Sequence, residues 1–287
     1  MLKQRIITAL ILAPLALFAI LYLPLFSFQI VIALVVGLGA WEWSSMSGMT
    51  RTFSKAAYTI LVSLTCVSFS IILPADSIWH QGQLNSLYTY ILCVASIWWV
   101  VSLGMIIAYP KYSSLWYNSK VLRGIFGFLT LIPTWVAVVT LRTSLFDVEP
   151  FYGASLIFYV LGIVWAADVG AFFVGVKFGK HRIMPTVSPK KSWEGSAGGL
   201  LMVFATAGLL AIQIEQSFTV WHWLGFGLVV AVSGTVGDFF ESYLKRKAGV
   251  KDSGIMLPGH GGFLDRFDST LFAVPCSVVY LHLVHII

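Results

Sequence analysis

The acidic residues interleaved with glycine and basic residues near the C-terminus are the first candidates for chemistry in this chain. Asp265 and Asp268 are three apart at the start of the last apolar segment, a spacing that predicts both on one side and able to share a cation. Hard oxygen ligands beside phosphate favour Mg²⁺, and no Cys/His cluster competes for a softer metal. Just upstream, Pro258-Gly-His260-Gly261-Gly262 forms a glycine-rich turn whose N–H groups suit phosphate, with a helix start behind it. Lys245, Arg246, Lys251 and Arg266 add positive charge suited to a polyphosphate. An anionic-lipid anchor would explain these lysines, but not the aspartates placed among glycines.

Three other places carry polar groups that are costly in an apolar setting. Asp238 closes Ser233-Gly-Thr-Val-Gly-Asp238, where Gly234 and Gly237 allow close approach of backbone or ligand. Asp168, in Val164-Trp-Ala-Ala-Asp-Val-Gly170, falls about 13 Å inside the end of its helix. Glu42 sits near the end of another helix, where a packing or pairing role is as good a reading as a chemical one. A second basic loop, Ser188-Pro-Lys190-Lys191-Ser192, precedes a helix and has the look of an anion-binding helix start; a basic anchor with a serine cap is the plainer alternative.

The elements that must position these residues follow from composition. Of the 287 residues, 58% are hydrophobic and only 10% charged, with a mean hydropathy of +0.87. Soluble domains carry about 25% charged residues, so the fold class is an all-α polytopic membrane protein. About nine apolar segments are expected, near 6–23, 28–46, 57–73, 87–108, 122–141, 153–176, 196–213, 220–241 and 269–286; eight is the other count. All Lys and Arg except Arg142 then fall on one side, with the N-terminus, which puts both in the cytoplasm. The net charge of +6 therefore reflects topology and gives no reason to invoke nucleic acid. Cys66, Cys93 and Cys276 each lie within an apolar stretch and read as buried small side chains. The N-terminal apolar run lacks a small-x-small cleavage site and reads as an uncleaved first helix. One membrane domain is expected, with residues 1–80 as an N-terminal helical part and 81–287 carrying the site.

The stretch from Ser242 to Asp268 resembles the defining motif of the phosphatidate cytidylyltransferases of bacterial type. Its fixed positions fall on Ser242, Leu244-Lys245-Arg246, Lys251-Asp252, Gly254, Pro258, His260-Gly261-Gly262 and Asp265-Arg266-Phe267-Asp268. The likeness extends to the Asp168 segment, Gly237-Asp238 and the Ser188 loop, where Lys190 stands in place of an expected glycine. The resemblance implies transfer of a cytidylyl group from CTP to phosphatidic acid at the cytoplasmic face of the bacterial inner membrane. It also implies Mg²⁺, with room for a second, monovalent cation, and a homodimer. On that basis Asp238, Asp265 and Asp268 are expected to coordinate metal, with Lys251 holding the triphosphate. Ser188, Lys190, Lys191, Ser192, Lys245, Arg246, His260, Gly261, Gly262 and Arg266 are expected to bind the substrates, and Asp168 to orient one of these groups. Two other readings stay open: a CTP-dependent kinase of membrane alcohols, and a transporter, which the crowding of polar residues at one face disfavours.

Overall fold

The computed structural model describes residues 2–213, 219–257, 259 and 261–287, without the side chains of residues 2, 3, 5, 212 and 213. Apolar runs with no water to satisfy their backbone close all their hydrogen bonds internally, and each expected segment is helical. The main helices are α1 (Leu2–Tyr22), α2 (Leu25–Met46), α3 (Thr52–Ile72), α4 (Ser86–Ile107), α6 (Lys120–Thr143), α7 (Tyr152–Phe178), α8 (Trp193–Gln213), α9 (Val220–Lys247) and α10 (Thr270–Leu283). A single turn, α5 (Ser114–Tyr117), lies between α4 and α6. Among the described residues, seven helices are long and apolar enough to cross a membrane; Ile6–Tyr22 and α10 are shorter apolar helices.

Two small hairpins complete the chain. β1 (Trp79–His80) pairs with β2 (Gln83–Leu84), and β3 (Arg182–Met184) pairs with β4 (Ser188–Ser192), both antiparallel. Gln81 and Gly82 between β1 and β2 both have positive φ, the backbone that a two-residue hairpin turn requires.

α6 is the central helix, with 78% of its span buried by protein, followed by α9 with 61%. Polar side chains tie neighbours to α6 where lipid offers no competing partner. The Trp43 indole donates to the Arg123 carbonyl at 2.9 Å, and the Tyr58 hydroxyl to the Gly124 carbonyl at 2.8 Å. Thr134 in α6 reaches the Leu271 carbonyl of α10 at 3.0 Å. α7 and α8 approach through small residues: a Cβ on Gly170 would stand 2.6 Å from the Gly198 carbonyl oxygen, so only glycine fits.

The two ends of the bundle differ in chemistry. At one end Arg142, 2% exposed, donates to the Ile20 carbonyl at 2.6 Å, one of those left open at the end of α1, and to the Pro150 carbonyl at 3.2 Å. That end also holds the C-terminus, where the Tyr152 hydroxyl donates to the Ile286 carbonyl at 3.3 Å. The basic loops 47–51, 108–119, 179–192 and 248–269 meet at the other end, as the charge alternation predicts. There the Arg246 guanidinium donates to the Val187 carbonyl at 3.2 Å, and Lys247 lies over the rings of Tyr109 and Tyr117.

Candidate active site

The last loop, 248–269, is organised around two carboxylates. Glu42, 2% exposed at the end of α2, accepts from the Ser253 hydroxyl at 2.8 Å and from the Leu264 and Phe263 amides at 2.9 Å each. Asp265 accepts from the Ser253 and Gly262 amides at 2.9 Å each through Oδ2, and from Lys245 Nζ at 2.6 Å through Oδ1. Ser253 links the two: its hydroxyl donates to Glu42 and accepts from the Asp265 amide at 3.3 Å. Gly261, with φ of +86°, makes the turn, where a side chain would be strained. Burial works against ionisation of Asp265, but the Lys245 hydrogen bond and charge and the two amides outweigh it, holding the carboxyl below its ordinary value.

A second group of carboxylates faces the first from α9. Asp238 forms an ion pair with Lys191 of β4, whose ammonium also lies 4.5 Å from the centre of the Phe239 ring. The Ser242 hydroxyl, one turn on, donates to Asp238 at 3.4 Å. Asp268 approaches because Gly237 lets the chain close in: a Cβ there would stand 2.6 Å from the Asp268 carbonyl oxygen. Asp268 Oδ1 accepts from the Ser269 amide at 2.7 Å. Asp168 of α7 is near enough to feel the charges of both Asp238 and Lys191. Glu241, 2% exposed, has Lys245 Nζ at 3.2 Å and lies within the field of Asp268 and Asp265.

Asp168, Asp238, Glu241, Asp265 and Asp268 thus stand against two partly buried ammonium groups, those of Lys191 and Lys245. Burial first, and then the charge of Asp238, push the Asp268 carboxyl from its ordinary 3.8 to about 7. A carboxyl raised in this way takes up a proton as the chain folds. Its stabilising effect is complete below the ordinary value and is lost as pH climbs through about 7. In detergent with a chelator, the protein is therefore expected to melt at a lower temperature at pH 8 than at pH 5.5. Asp268→Asn should flatten that dependence; an equally steep fall in the variant would place its source elsewhere.

Some expected site residues lie where the sequence puts them, and others are engaged differently. Asp238, Asp268 and Asp168 come together with Lys191. Asp265 and Asp268 do not lie within the last helix, because α10 begins only at Thr270; Leu264–Arg266 is a 3₁₀ turn and Phe267 departs from helical geometry. Among the described residues, no three Asp, Glu, His or Cys gather closely enough to hold a metal by themselves. Lys245 is taken by Asp265 and Glu241, and Arg246 by the Val187 and Val250 carbonyls. Ser192, 2% exposed, accepts from the Gly195 amide at 3.1 Å and so caps α8, the plainer of its two readings. Lys190, Lys251 and Arg266 are exposed around the site, Ser188 opens β4, and Gly262 gives its amide to Asp265. His260 lies outside the described residues.

Reasoning from the sequence misses Glu241 and Ser253 and gives Glu42 no definite role. Glu241 carries a signal, since it precedes Lys245 by one helical turn. Glu42 finds its partners more than 200 residues away, and no local pattern announces that.

Comparison with known proteins shows what the chain is similar to. Residues 3–284 match the model of the cytidylyltransferase family. The chain is 39% identical over 283 residues to the phosphatidate cytidylyltransferase of Pseudomonas aeruginosa, covering 98% of this chain and 97% of that one. It is 35% identical over 281 residues to that of Haemophilus influenzae, covering 96% of each. Against the Bacillus subtilis protein of the same name, identity is 44% over 124 residues, 43% of this chain and 46% of that one.

Proposed function

The chain belongs to the cytidylyltransferase family, and from that premise we propose that it transfers the cytidylyl group of CTP to phosphatidic acid. The products are CDP-diacylglycerol, which stays in the membrane, and pyrophosphate. The observation that carries this reading is the excess of carboxylate over ammonium where α9 meets the last loop, ringed by the exposed Lys190, Lys251 and Arg266. A water-soluble polyanion and a lipid phosphate can meet only at such a boundary.

The chemistry asks little of the protein as a proton acceptor. An oxygen of the lipid phosphate, already anionic, bonds to the α-phosphorus of CTP, and the bond from that phosphorus to the β-phosphate bridging oxygen breaks. Pyrophosphate leaves with the electron pair. Catalysis is then positioning and charge neutralisation. Asp238 and Asp268 would hold Mg²⁺, which when bound would neutralise charge on the phosphate oxygens. Two carboxylates with substrate phosphates completing the shell is a common way for proteins to bind this ion. Asp265 acts differently from the expectation above: it fixes the phosphate-facing turn at Gly261 and Gly262 by accepting the hydrogen bonds of the Gly262 and Ser253 amides. Lys190, Lys191, Lys251 and Arg266 hold the phosphates, with Ser188 beside them, and Asp168 orients Lys191. The charge of Glu241 leaves room for the second, monovalent cation.

Positive-inside bias places this face in the cytoplasm, with the chain crossing the bacterial inner membrane nine times and the N-terminus inside. A homodimer is part of the same proposal. The test is purified protein with phosphatidic acid, labelled CTP and Mg²⁺, following both products. Pyrophosphate and CDP-diacylglycerol are expected in equal amounts. Release of CDP with a phosphorylated lipid alcohol would select the kinase reading and refute this one.

A further inference from the structure

Beside the catalytic loops, and apart from them, an apolar groove of about 530 Å³ opens between the end of α4, the α5 turn and the start of α6. Val101, Met105, Leu115, Trp116, Leu122 and Phe126 line it, and its volume falls in the range of about 300–1,000 Å³ typical of small-molecule sites. Tyr117 and Arg123 directly follow the lining residues Trp116 and Leu122 in the chain. Arg123, 8% exposed, lies 4.2 Å from the centre of the Tyr117 ring, and Lys247 lies 5.7 Å from the same ring. Lys120 and Arg123 converge on Gly48, where an added Cβ would meet both side chains.

No carboxylate pairs with Lys120, Arg123 or Lys247 among the described residues. The Arg123 Nε is buried without a hydrogen-bond partner. A buried guanidinium with an unused donor, beside two further cations, is costly unless an anion is nearby. Basic and aromatic residues at a bilayer boundary above an apolar groove match the two halves of an anionic phospholipid. We propose that this groove binds one such lipid, its acyl chain along α4 and its phosphate against Arg123, Lys120 and Lys247. The Trp116 indole donates to the Tyr243 hydroxyl of α9 at 2.7 Å, so the lipid braces the helix that carries Asp238. This inference does not depend on the reaction proposed above.

The test is native mass spectrometry of the delipidated full chain, with phosphatidylglycerol and phosphatidylcholine as probes. One phosphatidylglycerol per chain is expected, retained at least fivefold over phosphatidylcholine. Arg123→Gln should lower that retention at least fivefold while cytidylyl transfer in detergent stays within twofold. Gly104→Leu gives an independent arm: Gly104 lines the groove and a Cβ there meets nothing within 4 Å, so the larger side chain fills the space without straining the fold. It too should lower retention fivefold. Equal retention of the two lipids, or undiminished retention in Gly104→Leu, overturns the proposal. If Gly104→Leu instead turned dimers into monomers with lipid retention unchanged, the groove would be a contact between copies of the chain.

Discussion

Asp238→Asn is expected to lower cytidylyl transfer on the order of a thousandfold while leaving the protein inserted and at least as stable as the wild type. The two halves of that result have one cause. Asp238 stands within the field of Asp168 and Asp268 and, among the described residues, forms an ion pair only with Lys191. Removing its charge relieves repulsion on a buried neighbour, which favours folding. It also removes one of the two groups proposed above to hold the cation. A residue kept only for packing would show the reverse, a loss of stability with turnover preserved. Turnover with saturating CTP and Mg²⁺, together with melting in the same detergent, separates the two. Activity within tenfold of wild type would remove Asp238 from the metal site.

Glu42→Ala is expected to cost at least a hundredfold in activity and about 3 kcal/mol or more in stability. Truncation leaves the Phe263 and Leu264 amides and the Ser253 hydroxyl without their common acceptor in a buried place. The loop bearing Asp265 and the Gly261 turn would then lose its anchor to α2. Glu42→Gln is the sharper probe, because it keeps the volume and one acceptor oxygen. Its amide nitrogen must face either the Phe263 amide or the Ser253–Leu264 pair, donor against donor. A drop of ten- to a hundredfold in kcat, with the inserted fold retained, is expected. Wild-type turnover in Glu42→Gln would mean that the loop holds its shape without the carboxylate.

Much of the fold is legible in the order of the residues. Apolar runs and the placement of Lys and Arg are governed by the bilayer itself, so helices and the gathering of basic loops at one end follow from composition and order. Asp238 and Asp268 are legible for a related reason: a carboxylate that lipid or burial penalises persists only where something needs it. Local geometry and partnership are not legible in this way. The i, i+3 argument for Asp265 and Asp268 assumes helix from 265 onward, but the chain first turns through Leu264–Arg266 and enters α10 at Thr270. Lys245 and Arg246 look available for phosphate because sequence shows charges and conceals their partners. Glu241 and Asp265 claim the first, and two backbone carbonyls the second. Ser192 capping α8 shows the same limit, since a helix start that could bind an anion can equally be closed by its own serine.

The arrangement of Asp238 and Asp268 across α9 and the start of α10 is most directly probed by titrating the purified chain with Mn²⁺ and following the free ion by electron paramagnetic resonance. One Mn²⁺ bound per wild-type chain and displaced by Mg²⁺, with that binding lost in both Asp238→Asn and Asp268→Asn, is the result expected. Undiminished one-to-one binding in both variants would contradict it.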